Sequence, residues 1–191
     1  MRKFLKFILS ILVHIVYRVK ITGKENIPEK EAAILCQNHI HALDPVVFIL
    51  TAKREINGVG KEELYKIGIL KWLAKIFGIY PVKRDGSDIN TVKILLKLLK
   101  QNKLVFIAPE GTRNGLAKGL KPKNGAVNLA IKTGAPIIPI GIRGSFRAFS
   151  KVIINIGKPV YYNEGEVNKE DVDNLTKNLM DEIIRLRDEE I

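Results

Sequence analysis

The sequence predicts a single α/β domain on a mixed, mostly parallel sheet of about seven strands flanked by helices, with an amphipathic membrane-interface helix at its N-terminus. Short apolar runs alternate with longer segments whose apolar residues recur at helical spacing, which is typical of an α/β domain. The 191 residues can bury one core and are too few for two comfortable domains. No internal repeat, low-complexity run or long linker divides the chain.

Apolar runs and helical spacing set the predicted elements. We expect strands near residues 18–22, 32–37, 56–59, 79–82, 104–108, 136–142 and 152–156. We expect helices over about residues 4–16, 45–53, 62–77, 88–101, 124–132 and 168–189. Pro45 suits the first turn of the second helix, because proline lacks an N–H that would go unbonded there. Gly134 suits a left-handed cap after the fifth helix.

The first helix is expected to associate with a membrane, so that residues 1–17 form a unit apart from residues 18–191. Residues 4–17 are mostly apolar but too few to cross a bilayer as a helix. Polar residues recur every fourth position, which gives a narrow polar stripe beside a wide apolar face, typical of an interfacial helix. They are Arg2, Lys6, Ser10, His14 and Arg18. The alternatives are a signal peptide, although no small-x-small cleavage site follows, and a helix buried in the core.

A second segment could also meet lipid. The predicted helix 62–77 has apolar residues at helical spacing and three lysines elsewhere on its surface, at Lys66, Lys71 and Lys75. The sequence leaves open whether it is a core-facing helix with a solvated basic side or a helix in direct contact with lipid.

The charge distribution favours an anionic partner. The net charge is +12, but residues 164–191 hold 10 acidic and 4 basic side chains, so the rest of the chain is more basic still. Phospholipid headgroups, a phosphorylated substrate, an acidic carrier protein and nucleic acid all fit such an excess. The single cysteine, Cys36, excludes an intrachain disulfide.

A histidine and an aspartate five residues apart mark a candidate active site. His39 and Asp44 bracket the loop between the predicted strand 32–37 and the helix that Pro45 opens. A histidine whose ring is held by an aspartate can take a proton from an alcohol near neutral pH. A polar loop with an aspartate near a helix start is the structural alternative.

A second loop strengthens the functional interpretation. Pro109-Glu110-Gly111-Thr112-Arg113 directly follows the apolar run 104–108. Together the segments resemble the glycerolipid acyltransferase family, in particular its 1-acylglycerol-3-phosphate acyltransferases. The resemblance covers roughly residues 35–140 in four ordered blocks. The matching positions are Asn38, His39 and Asp44; Lys61, Glu63, Leu64, Gly78, Pro81 and Arg84; Glu110 to Arg113; and Ala135 to Ile140. Ala108 stands where the family often has phenylalanine.

The resemblance implies transfer of a fatty acyl group from a thioester to the sn-2 hydroxyl of a lysophosphatidic acid, giving phosphatidic acid. His39 would be the general base, and Asp44 would fix its tautomer and stabilise the imidazolium. His41 lacks the five-residue spacing to Asp44 and the preceding asparagine. No cofactor is implied. The donor would be acyl-CoA or an acylated carrier protein, and the acceptor could also be another lysolipid or glycerol 3-phosphate.

The same resemblance suggests which residues hold the acceptor. Arg113 can grip phosphate oxygens in pairs, and Arg84 is the second candidate. Glu110 would orient Arg113 or bind the glycerol hydroxyl, with Thr112 in the same acceptor-binding loop. The Gly111 N–H, together with Lys61, could stabilise charge on the thioester oxygen. Three lysines in the following loop are expected to add only a diffuse positive field: Lys118, Lys121 and Lys123.

Three other hypotheses about function stay open on the sequence alone. Cys36 could act as a thiol nucleophile with His39. His39, His41 and Asp44 could bind a metal, although no fourth ligand is evident and we expect none. A basic module could bind nucleic acid, but the few aromatics, the missing signatures and the lipid-like N-terminus argue against it. We expect a peripheral protein on the cytoplasmic face of the cell membrane.

Overall fold

Seven strands form one sheet in a computed structural model that describes residues 2–82, 89–162 and 168–190. The strands are β1 Arg18–Thr22, β2 Ala33–Gln37, β3 Ile56–Lys61, β4 Ile79–Val82, β5 Leu104–Ile107, β6 Ile137–Gly144 and β7 Lys151–Ile156. The helices are α1 Arg2–Val16, α2 Asp44–Thr51, α3 Gly68–Ile76, α4 Ile89–Lys100, α5 Gly125–Thr133 and α6 Lys169–Asp188. The predicted α/β fold class is confirmed.

The predicted helix 62–77 differs from the observed segment. Residues Glu62–Lys66 form a 3-10 helix, and α3 begins only at Gly68. Between them Ile67 has extended backbone angles, φ −97° and ψ 116°, which interrupt the helical path. Glycine has a low helix propensity, so a helix is more readily begun than continued at Gly68. Apolar spacing alone did not reveal this break.

The strand order is β1-β7-β6-β2-β5-β3-β4. Strands β6, β2, β5, β3 and β4 are parallel, whereas β7 runs antiparallel to β6 and parallel to β1. The carboxyl ends of the five parallel strands therefore share one edge of the sheet, here called the carboxyl edge. Because β7 turns back from β6, and Arg18 of β1 pairs with Lys151 of β7, β1 begins at this edge and α1 ends there.

The helices cover both faces of the sheet. The steps from β2 to β3 and from β3 to β4 run one way along the sheet, and those from β4 to β5 and β5 to β6 run the other way. Right-handed crossovers then place α2 and α3 on one face and α4 and α5 on the other. The core packing shows the same division. Successive residues of β2 point to opposite faces, and Leu35 packs with Phe48 of α2, whereas Ile34 packs with Leu98 of α4.

The N-terminal helix packs against α2 with one side and exposes apolar side chains on the other. The Lys6 ammonium donates to the Ala52 carbonyl oxygen at 2.6 Å, and Val13 joins the core on the α2 face. The outward residues recur at helical spacing and form what we call the α1 stripe: Phe4, Phe7, Ile8, Ile11, Leu12 and Ile15. Among the described residues, no helix is both long and apolar enough to cross a bilayer.

The last helix closes the opposite face. It begins with a capping box, in which the Asn168 side chain accepts from the Asp171 N–H and the Asp171 carboxylate accepts from the Asn168 N–H. Gly141 of β6 permits a close approach, because a Cβ there would lie 2.1 Å from the Arg187 backbone nitrogen. Met180 and Ile183 of α6 pack in the same core cluster as Leu98 of α4, so α6 lies on the face opposite α1 and α2.

Candidate active site

Loops after β2, β3 and β5 meet at the carboxyl edge of the sheet. These three strands are neighbours, in the order β2, β5 and β3. Ligand sites in open α/β sheets form outside the carboxyl ends of the strands. The loop after β2 carries His39, the end of β3 carries Lys61, and the loop after β5 carries Glu110, Thr112 and Arg113. The fold thus gathers sequence motifs that lie far apart along the chain.

His39 and Asp44 are paired. The His39 Nδ1 lies 3.0 Å from Asp44 Oδ1 and 3.1 Å from Oδ2. The Asp44 side chain is fully buried, while 16% of the His39 side chain is exposed. With Nδ1 held by the carboxylate, Nε2 is the ring nitrogen left to accept a proton, and it has no hydrogen-bond partner among the described residues. This is the arrangement that a general base requires.

The Asp44 carboxylate is also bonded to its own loop. The backbone N–H groups of Ile40 and His41 donate to Oδ2, at 2.8 and 2.9 Å. A buried anion is costly unless hydrogen bonds replace the lost water, and these donors supply them. Asp44 therefore holds the imidazole and the backbone of the intervening loop together.

Asn38 anchors the start of the same loop to β6. Its side-chain amide donates to the Ile142 carbonyl oxygen at 2.9 Å and its side-chain oxygen accepts from the Ile142 N–H at 2.7 Å. Only 2% of Asn38 is exposed. The asparagine that precedes the histidine in the motif thus ties the loop of His39 to the sheet, a role that the sequence pattern did not indicate.

Glu110 joins the two motif loops. Its Oε1 accepts from the His39 N–H at 2.9 Å, and its Oε2 accepts from the Leu116 N–H at 3.1 Å. The Asn114 N–H donates in turn to the His39 carbonyl oxygen at 2.7 Å. The expected contacts of Glu110 with Arg113 or with the acceptor stay predictions, since both carboxylate oxygens here face backbone donors.

The turn at Gly111 brings an unexpected lysine close. Gly111 has a φ of +67°, a left-handed conformation that favours glycine, and a Cβ there would lie 2.8 Å from Lys123 Cε. The Lys123 N–H donates to the Pro109 carbonyl oxygen at 2.8 Å. Lys123 therefore lies against the motif loop, whereas the sequence suggested only a diffuse field from it.

Gly111 and Lys61, the pair predicted to stabilise charge on the thioester oxygen, lie in the loop after β5 and at the end of β3. The Gly111 N–H donates to the Ala108 carbonyl oxygen at 3.0 Å, within the turn itself. The action of this N–H on a thioester oxygen stays a prediction, because the N–H already donates a hydrogen bond within the turn. Lys61 is exposed at the end of β3. Arg84, the second predicted phosphate ligand, lies outside the described residues.

Arg113 and Thr112 are available at the surface of the motif loop. Arg113 is exposed and Thr112 is half-buried, and both lie within three residues of the buried Glu110. An exposed guanidinium on this loop can bind an anion that arrives from solvent or from a membrane surface. Phosphate binding by Arg113 is compatible with this position.

The structure separates His41 and Cys36 from the pair. The His41 Nδ1 accepts from the Leu43 N–H at 3.2 Å, and its ring stacks on Phe146 with centroids 4.8 Å apart. Cys36 is fully buried, and this burial raises the pKa of its thiol far above the ordinary value. A protonated, enclosed thiol is a poor nucleophile. Within the described residues, no three histidine, cysteine or acidic side chains are placed to hold a metal ion.

Comparison with known proteins places these loops in a family context. A family model described as Acyltransferase matches residues 18–143. A 1-acyl-sn-glycerol-3-phosphate acyltransferase of Borreliella burgdorferi is 29% identical over 177 residues, which cover 88% of this chain and 71% of that protein. A chloroplastic enzyme of the same name from Arabidopsis thaliana is 31% identical over 183 residues, which cover 87% of this chain. The chain spans about half the length (51%) of that plant relative.

A solved structure shares the fold. The crystal structure of a 1-acyl-sn-glycerophosphate acyltransferase from Thermotoga maritima superposes with a TM-score of 0.74, at 23% identity. The superposition covers 100% of this chain and 83% of that one. At this identity, the likeness supports the architecture of the sheet and helices.

Proposed function

The chain belongs to the acyltransferase family, and we propose that it transfers an acyl group from a thioester to the sn-2 hydroxyl of 1-acyl-sn-glycerol 3-phosphate, giving phosphatidic acid. The observation that carries the proposal is the pairing of His39 Nδ1 with the buried Asp44 at 3.0 Å. The names of the relatives point to the same acceptor. Another lysolipid or glycerol 3-phosphate is the alternative acceptor.

The pair supports direct transfer to the alcohol. An alcohol is a weak nucleophile at neutral pH, so His39 Nε2 takes the hydroxyl proton as the oxygen attacks the thioester carbonyl carbon. Asp44 stabilises the imidazolium that forms. The tetrahedral intermediate then expels the thiolate, which takes the proton from His39. The new ester bond replaces the thioester bond, and no acyl-enzyme is needed.

Basic residues around the motif loop suit a phosphorylated acceptor. Arg113 is exposed on this loop, Lys123 lies across Gly111, and Lys61 ends the neighbouring strand β3. A guanidinium can make two parallel hydrogen bonds to a phosphate, and nearby ammonium groups add to the attraction. The same positive field would favour either anionic donor, coenzyme A or an acyl carrier protein.

The N-terminal helix suits attachment to the membrane that holds the acceptor and product. Its inner side packs on α2, which leaves the α1 stripe directed away from the domain. The helix ends at the carboxyl edge, where the Tyr17 ring meets the Phe146 ring that stacks on His41. A stripe embedded in the interface would therefore bring the active site to the lipid surface. The exposed stripe supports peripheral attachment to a membrane, and we propose the cytoplasmic face of the cell membrane as the place.

The first prediction concerns the base. We expect His39→Ala to lower turnover at least ~100-fold, the low end of the effect of a general base. Asp44→Asn should also be severely impaired, because the amide NH2 group would face N–H donors from which the Asp44 carboxylate now accepts hydrogen bonds. Acyl transfer is to be measured with purified protein, one acyl thioester and 1-acyl-sn-glycerol 3-phosphate.

Two neighbouring variants control for general damage to this region. His41→Ala and Cys36→Ala should retain substantial activity, since neither side chain bonds to the Asp44 carboxylate. A folded but inactive Cys36→Ala protein, or an acyl group trapped on Cys36, would contradict direct transfer.

The second prediction concerns the phosphate. Arg113→Ala should lower acceptor efficiency about 10- to 100-fold, because a charge-assisted contact is worth roughly 1.5–3 kcal/mol. Arg113→Lys should retain only part of the wild-type acceptor efficiency, since one ammonium cannot make the paired contact. The measurement is kcat/KM for acceptors with and without the phosphate. Equal losses for both acceptors would contradict the assignment.

The third prediction concerns the membrane. Replacing Phe4, Phe7 and Ile11 by serine removes part of the α1 stripe and leaves its packing side intact. Each fully buried large apolar side chain contributes ~1.5–3 kcal/mol, so binding to anionic liposomes should fall by more than about 100-fold. Activity on detergent-dispersed acceptor should survive better than activity on acceptor in bilayers.

A matched control lies on the other face of the sheet. Ile89→Ser with Val92→Ser changes two exposed apolar residues of α4 and should leave liposome binding unchanged. If the α1 variant bound liposomes as the wild type does, helix α3 would be the leading membrane contact. Its exposed Ile69 and Trp72 stand among basic side chains on the same sheet face as α1.

A further inference from the structure

We propose that Glu110 is a positioning residue, which fixes the backbone of His39 and does not contact the acceptor. The inference rests on the proposed function, in which His39 is the base. It differs from the acceptor-binding role that the sequence motif suggested for this carboxylate. The observation that carries it is a carboxylate with both oxygens bonded to backbone N–H groups from two loops.

The His39 backbone is held on both of its polar groups by one loop. Its N–H donates to Glu110 Oε1 at 2.9 Å, and its carbonyl oxygen accepts from the Asn114 N–H at 2.7 Å. The imidazole is held separately by Asp44. The ring and the backbone of the base are thus fixed by different elements, one after β2 and one after β5. Small displacements of a catalytic group cost large factors in rate, so such double fixation suits a base.

The carboxylate is enclosed in its own loop. Glu110 is only 7% exposed, and its second oxygen accepts from the Leu116 N–H at 3.1 Å. The loop has no space for a side chain at Gly115, because a Cβ there would lie 2.7 Å from the Glu110 carbonyl oxygen. The loop that carries Arg113 is thereby folded tightly around Glu110.

The charge of Glu110 also argues against contact with the acceptor. A phosphorylated acceptor is anionic, and a second anion close to it would weaken binding. The same negative charge suits two N–H donors, because an ionised carboxylate offers acceptors on both oxygens. A glutamine offers one acceptor oxygen and one NH2 group, which would face a donor. Glu110→Gln therefore removes one arm of the bridge with almost no change in volume.

The test separates positioning from acceptor binding by the kinetic parameter that changes. We expect Glu110→Gln to lower kcat about 10- to 100-fold through misplacement of the base. The acceptor KM should stay within about 3-fold, as for an interaction that acts on the transition state alone. In Glu110→Gln, kcat should fall by the same factor for acceptors with and without phosphate. In Arg113→Ala, the loss should be larger for the phosphorylated acceptor. Hydrolysis of the acyl thioester by water, without acceptor, should fall with kcat.

The opposite pattern would overturn the proposal. A higher acceptor KM with unchanged thioester hydrolysis would place Glu110 on the acceptor. A readout independent of activity distinguishes this failure from failure of the proposed function. The amide resonances of His39 and Leu116 in Glu110→Gln should shift, and hydrogen exchange should become faster at the amide that the glutamine NH2 group faces. Unchanged amides would show that the bridge is absent in solution, whatever reaction the protein catalyses.

A second variant keeps the test decisive if Glu110→Gln folds poorly. Gly115→Ala presses a methyl group against Glu110 without removing a polar atom, and its φ of −58° is compatible with alanine. It should lower kcat and shift the same two amides. Gly125→Ala is the matched control, since a Cβ there meets nothing within 4 Å. If Gly115→Ala were as active as Gly125→Ala, with unshifted amides, the proposal would be wrong.

Discussion

The buried carboxylate of Asp44 is the group on which the rest of the site depends. Three donors surround it, the His39 ring and the N–H groups of Ile40 and His41, so one side chain sets both the loop conformation and the orientation of the base. Each of the three hydrogen bonds offsets part of the cost of burying an anion. Removing one donor should therefore weaken both the loop conformation and the orientation of the His39 ring.

The sheet topology explains how this loop can serve a lipid substrate. The reversal at β7 makes β1 begin at the carboxyl edge, so α1 ends beside the active-site loops. Contacts from Tyr17 to Phe146 and from Phe146 to His41 connect the end of α1 to the loop that carries His39. The acidic side chains of α6 lie on the other sheet face. The exposed stripe of α1 is the feature of its face that suits insertion into a bilayer interface.

Local patterns sufficed for the strands and for the contact between His39 and Asp44. Both could be predicted, because they depend on residues close together in the chain. The partners of Glu110, Asn38 and Lys123 could not, since they depend on β2 lying between β5 and β6. A helical pattern also concealed the break before Gly68, where backbone conformation overrides apolar spacing. For α1, the sequence offered a membrane helix or a core helix, and the structure shows one packed side and one exposed side.

The tautomers of the histidines test the account most directly. His39 donates from Nδ1 to Asp44, whereas His41 accepts at Nδ1 from the Leu43 N–H, so neutral His39 should be protonated on Nδ1 and His41 on Nε2. ¹⁵N NMR of histidine-labelled protein distinguishes these states, with His14→Ala and His41→Ala to assign the three rings. We expect opposite tautomers for His39 and His41, and loss of the His39 preference in Asp44→Asn. A His39 ring protonated on Nε2 in the neutral wild-type protein would leave no base facing the acceptor and would contradict the account.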